Sequence, residues 1–128
     1  MLREELYEEV RKAVHRLAEE SEEDVVVLVE GSRDVRALRM MGYAGRVVQK
    51  SRLKAELEDI PTGTRVILLL DFDREGLKNM AKLSKQLAAC GYRVDDTYHR
   101  KLRVLKHLGV NTVEGIRKLL PALQQRRE

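Results

Sequence analysis

The sequence carries one cysteine, Cys90, few aromatic residues, and no long apolar run. A lone thiol excludes an internal disulfide and a multi-cysteine zinc site. The three histidines, His15, His99 and His107, share no metal-ligand spacing with Cys90 or with one another, and they are assigned no site. Without a long apolar stretch no membrane-spanning helix is expected. The start, Met1-Leu2-Arg3-Glu4-Glu5, lacks a basic region followed by an apolar segment, so a cytoplasmic location is expected. Internal repeats and low-complexity segments are also missing. Sparse aromatics beside 36% charged residues form a balance found in heat-adapted proteins, and it carries no functional reading.

What is present suits one compact, soluble domain: 128 residues, 43% of them hydrophobic. Acids nearly match bases, leaving a net charge of +4, which is compatible with a polyanionic partner without requiring one. The chain is organised around Arg65-Val66-Ile67-Leu68-Leu69-Leu70-Asp71-Phe72-Asp73-Arg74-Glu75-Gly76. Its aliphatic run shows no polar alternation, as in a strand covered on both faces. Val25 to Val29 is a second such run, and Arg46 to Gln49 and Tyr92 to Asp95 are shorter candidates.

Between the strands lie helical patterns. Leu2 to Glu20 repeats apolar residues at three- and four-residue spacing, and Asp34 to Met41 follows the first strand. Ser51 is placed to cap a helix carrying Leu53, Leu57 and Ile60. Gly76 to Ala89 reads as a helix with Leu77, Ala81, Ser84 and Ala88 inward and Lys78, Lys82 and Lys85 outward. His99 to Leu108 resumes a helical pattern, and Val113 to Leu123 makes a last helix ended by Pro121 or just beyond, with a frayed tail from Gln124 to Glu128. Strands alternating with helices give an α/β class with a mainly parallel sheet of about four strands.

Ligand sites in such sheets lie at the carboxyl ends of strands, where Glu30 follows the first strand and Asp71, Asp73 and Glu75 follow the third. Adjacent parallel strands would bring all four acids to one rim. Clustered carboxylates raise one another's pKa values unless a cation neutralises them, and hard oxygen ligands favour magnesium or manganese over zinc. Gly31 and Gly76 follow the acids and would let the backbone turn tightly or approach a phosphate.

These residues carry a resemblance. Val29-Glu30-Gly31-Ser32-Arg33-Asp34-Val35-Arg36-Ala37-Leu38 resembles the glutamate motif of Toprim domains, in the form found in bacterial primases. Asp71-Phe72-Asp73-Arg74-Glu75-Gly76 resembles the aspartate motif of the same domains in type IA topoisomerases. The resemblance implies a Rossmann-like Toprim domain over 23–108, with an N-terminal helix at 1–22 and a C-terminal helical extension at 109–128. It also implies phosphodiester chemistry on RNA or DNA, with Glu30 as general acid or base, Asp71 and Asp73 holding magnesium or manganese, and Glu30 and Glu75 as further ligands. Arg33, Arg74 and Lys78, with Gly31 and Gly76, would meet phosphate. The setting of a topoisomerase tyrosine is not found around Tyr7, Tyr43, Tyr92 or Tyr98, and no primase synthesising domain accompanies the motifs. The chain is therefore similar to a small stand-alone Toprim protein, like the domain in the ribonuclease that matures 5S ribosomal RNA, and water-activated hydrolysis in RNA processing or DNA cleavage is the expected chemistry.

Two rival readings differ in class. A binding or assembly module would keep the metal and lack turnover. A phosphatase of the haloacid dehalogenase type also places Asp-x-Asp after a buried strand, but expects threonine or valine where Glu75 stands and leaves Glu30 unexplained. Either terminal helix could pair two copies.

Overall fold

The computed structural model describes residues 3–20, 22 and 24–126, with side chains through residue 120. Four strands, β1 (Val25–Val29), β2 (Arg46–Gln49), β3 (Arg65–Leu69) and β4 (Arg93–Asp95), form a wholly parallel sheet in the order β2-β1-β3-β4. The two central strands are the two unbroken aliphatic runs, and the reason is that both sheet faces are covered. Val25, Val27, Val29, Ile67 and Leu69 point to one side, and Val26, Leu28, Val66, Leu68 and Leu70 to the other.

The helices divide between those faces. The first side receives α1 (Arg3–Ala18), α2 (Ser32–Met40), α5 (Thr97–Leu102) and α6 (Val113–Arg126), through Val10, Leu17, Leu38, Leu102 and Ile116 among others. The second receives the short α3 (Leu53–Glu56) and the long α4 (Arg74–Ala89), through Leu53, Met80 and Leu87. After β1 the chain moves outward through α2 to the edge strand β2, and after β3 it moves outward the other way through α4 to β4. The direction reverses between β1 and β3, which makes their carboxyl ends the switch point where open α/β sheets open a crevice. Among the described residues no helix is long and apolar enough to cross a membrane.

Several local expectations are corrected. Ser51 caps nothing: residues 50–59 form a 3-10 turn, the four-residue α3 and a second 3-10 turn, and no side chain caps them. The inward stripe of α4 is Gly76, Met80, Leu83 and Leu87, while Ala81 and Ala88 are exposed. The segment His99–Leu108 changes from α5 to a 3-10 stretch at Arg103, leaving Leu108 exposed. Helix α6 runs through Pro121 to Arg126. A proline removes one amide donor from the helix ladder, and here the helix continues past that loss. Side chains of 121–128, on which the expected fraying falls, lie outside the described residues.

Candidate functional site

In register, Val29 lies beside Leu69 on one flank and beside Gln49 on the other, so Glu30 and Lys50 leave neighbouring strands at one level and Asp71 leaves the third one residue further on. The Glu30 carboxylate is held from both flanks. Its Oε2 accepts the Asp71 amide at 3.3 Å, and its Oε1 forms an ion pair with the Lys50 ammonium. The two acidic motifs, 41 residues apart in the chain, are thereby brought into contact.

Beyond Asp71 the chain turns directly into α4, and two features force that turn. Asp73 sits in an extended conformation at the N-cap, its Oδ1 accepting the Gly76 amide at 2.8 Å. Gly76 packs against the backbone of the aspartate loop: a Cβ there would stand 2.0 Å from the Asp71 carbonyl oxygen. Gly31 is different. Its backbone is extended, at φ −155°, and a Cβ would meet nothing within 4 Å. The chain bends at Glu30 and Gly31 into α2 without a left-handed residue, and the space beside Gly31 is open.

Behind Glu30, Asp34 is nearly fully buried and accepts two amides, from Gly31 at 3.2 Å and from Glu114 in the first turn of α6 at 3.1 Å. Behind Asp71 lies His99, wholly buried, with its ring edge-on to Phe72 at 4.9 Å between centroids. His99 Nε2 is 3.4 Å from the Asp71 carbonyl oxygen and donates to it, while Nδ1 is buried with no partner. Burial, reinforced by the charge of Arg103, pushes the imidazole pKa down, so the ring is neutral. The loop is tied once more by the Phe72 amide, which donates to the Asn111 carbonyl at 2.7 Å.

The charge balance of this rim is negative. Burial, followed by the charges of Glu30, Asp34 and Asp73, raises the Asp71 pKa to about 7, with Lys50 only partly opposing them. Asp34 is also raised, chiefly by burial, against the pull of its two amide donors. Such a donor set is short of positive charge and rich in hard oxygen, which fits a divalent cation of the magnesium or manganese kind. Asp71 and Asp73, with Glu30, are the residues that would hold it. Among the described residues no three acids or histidines converge into a ready-made cage, because Glu30 is turned to Lys50 and Asp73 to its own helix.

The remaining expected residues stand apart from this contact. Glu75, Arg33, Arg74 and Lys78 are exposed near the N-terminal ends of α2 and α4, and no side-chain hydrogen bond or ion pair holds them among the described residues. Sequence reasoning passes over Lys50, His99 and Asn111. A lone histidine in an amphipathic segment, a lysine after a short edge strand and a backbone carbonyl carry no local signal, since all three roles arise from contacts across the fold. Asp34 reads in the sequence as either a capping or a site residue; in the structure it stands in the first turn of α2, bonds back to the Gly31 amide at the N-cap, and also reaches α6.

A family model described as the Toprim domain matches residues 24–97. The chain belongs to the Toprim domain family. It is 35% identical over 110 residues to a UPF0292 protein of Archaeoglobus fulgidus, covering 86% of this chain and 88% of that one. It is 32% identical over 114 residues to a UPF0292 protein of Thermococcus sibiricus, covering 87% and 90%. Among solved structures, an Aquifex aeolicus protein shares the fold at a TM-score of 0.59 and 26% identity, over 88% of this chain and 96% of that one. Membership in the Toprim family implies a metal-binding, nucleic-acid-related function. It also overturns the dehalogenase-type phosphatase reading, in which Glu30 had no part. His99, Asn111 and Glu114 all lie beyond the matched Toprim segment, yet each bonds to one of its acidic loops.

Proposed function

We propose that this Toprim protein is a divalent-metal-dependent nuclease that hydrolyses phosphodiester bonds in RNA or DNA, with Glu30 as general acid or base and Asp71 and Asp73 as the metal ligands. One observation carries the reading: the Glu30 carboxylate sits on the Asp71 amide at the switch point, joining the two motifs in one rim. A bound magnesium or manganese ion would supply neutralisation of the charge developing on the phosphate. The chain's own residues do the rest. Asp73, locked as the cap of α4, and Gly76, packed on the Asp71 carbonyl, fix the aspartates relative to the strand ends. Glu30, with one oxygen anchored by a backbone amide, would present the other to a water or a departing oxygen once Lys50 moves off it, and there it can take or return a proton. The open space beside Gly31 gives the phosphate an approach to that oxygen.

The test is cleavage of single- and double-stranded RNA and DNA by the purified chain with magnesium or manganese. Cleavage that requires metal and drops by at least about a hundredfold in Glu30→Gln and Asp71→Asn supports the reading. Cleavage surviving both substitutions overturns it. The engagement of Glu30 by Lys50 supports a second reading, a metal-dependent binding module without turnover. Metal-dependent nucleic-acid binding with no product, in a protein whose Asp71→Asn variant no longer binds, would decide for that one.

A further inference from the structure

Lys50 is the first residue after the edge strand β2, and its ammonium pairs with Glu30 Oε1. With that pairing both oxygens of the Glu30 carboxylate are engaged. Its Oε2 is engaged by the backbone amide of Asp71, which cannot withdraw unless the end of β3 moves. A divalent cation that is to meet Glu30 at Oε1 approaches an oxygen already paired with an ammonium, and the repulsion between the two positive charges favours displacement of Lys50.

Lys50 is built to leave. Its side chain is 37% exposed, its head rides on a flexible four-carbon stem, and among the described residues no second acid is paired with it. It also lines a cavity of about 590 Å³ between α3 and α4, walled by Leu53, Leu57, Leu83 and Leu87, with Lys54 beside it. The stem has apolar surface to lie along while the ammonium stays in water at the rim.

We propose that Lys50 is an internal counter-ion that competes with the divalent cation for Glu30 and, once displaced, offers its ammonium to the phosphate of the bound nucleic acid. The inference rests on the reading of this rim as a metal site. In the metal-free protein Lys50 holds Glu30 in place and offsets part of the acidic charge. In the loaded protein it becomes a positioning residue for substrate, so that metal binding prepares the phosphate contact. An ion pair with no further role would leave both metal affinity and nucleic-acid binding indifferent to its loss.

The experiment compares the wild-type chain with Lys50→Met and Lys50→Arg. Manganese binding is measured by titration calorimetry, and binding of a single-stranded oligonucleotide is measured against salt, in manganese and in chelator. The expected result is about three- to fivefold tighter manganese binding in Lys50→Met, the scale of a partly exposed ion pair, with Lys50→Arg close to wild type. In manganese, the salt slope of oligonucleotide binding should fall by about one phosphate contact in Lys50→Met, and in chelator it should not change. Equal or weaker manganese binding in Lys50→Met overturns the proposal while leaving the metal site standing. A salt slope that changes equally with and without manganese also overturns it. Failure of the wild type and both variants to bind manganese removes the metal-site reading itself, and the proposal with it.

Discussion

At Gly76 the absence of a side chain decides whether the aspartate loop can close onto α4. The atom that a Cβ would strike, the Asp71 carbonyl oxygen, is backbone and cannot rotate away as a side chain would. Gly76→Ala must therefore push the first turn of α4 off the loop, breaking the 2.8 Å bond from its own amide to Asp73 and disturbing the carbonyl that His99 holds. Ordinarily alanine in a helix gains stability over glycine by about 1 kcal/mol. Here the expected change has the opposite sign, a loss of about 2–4 kcal/mol in urea denaturation, because overpacking against backbone and loss of a cap act together. Gly31→Ala is the control, since its Cβ would enter open space and should cost little. A Gly76→Ala variant as stable as wild type would mean that the loop is not packed as described.

At the scale of elements, α5, α6 and the loop between them form a clamp behind the acids. Asp34 is its centre, a buried carboxylate shared by the amide after Glu30 and the first turn of α6. Asp34→Ala strands two amide donors, and about 2–3 kcal/mol of stability should go with them. Asp34→Asn keeps one acceptor oxygen and should fall between. Hydrogen exchange would locate the effect, with faster exchange expected at Gly31 and Glu114 and little change in β4, and uniform acceleration would count against a local clamp. This part of the site is the least legible in the sequence. The central strands are readable because burial on both faces writes a continuous aliphatic run, and the acids are readable because they follow those runs directly. The face of α4 departs from its expected stripe by one position: the stripes from Leu77 and from Gly76 both satisfy helical spacing, and the choice depends on how the first turn meets Asp71. A glycine shows no apolar side chain to mark it as inward. Lys50, His99 and Asn111 act through contacts between elements distant in sequence, and spacing holds no record of those.

Across the whole molecule, charge sets two behaviours. Lys78, Lys82 and Lys85 are exposed along α4, and Arg33 and Arg36 along α2, two helices that start at the acidic loops and cover opposite sheet faces. If they track a nucleic-acid backbone, the joint change Lys78→Gln and Lys82→Gln should weaken oligonucleotide binding and lower the salt slope by roughly 0.7–0.9 for each phosphate no longer neutralised. An unchanged slope would leave these lysines as a solvated face. The second behaviour is the response of stability to pH. Asp71 keeps its proton up to about 7 in the folded chain, against an ordinary value of 3.8, and Asp34 shifts in the same direction. Between those values the folded state binds more protons than the unfolded one, so stability falls as pH rises through the window, and the contribution present in full below about pH 4 is gone above about pH 7. A divalent cation favours the ionised rim and reverses the trend. The metal-free protein should thus melt at progressively lower temperature from about pH 5 to pH 8, and Asp71→Asn should flatten that decline. Magnesium at about a hundred times its dissociation constant adds roughly 2.7 kcal/mol by mass action, several degrees of melting temperature for a domain of this size. That gain should be larger at about pH 8 than at about pH 5.5, where protons compete for Asp71. A magnesium effect of equal size at both pH values, or one that survives Asp71→Asn, would remove Asp71 from the metal site. The acids at the strand ends would then be loop-capping groups in a Toprim fold.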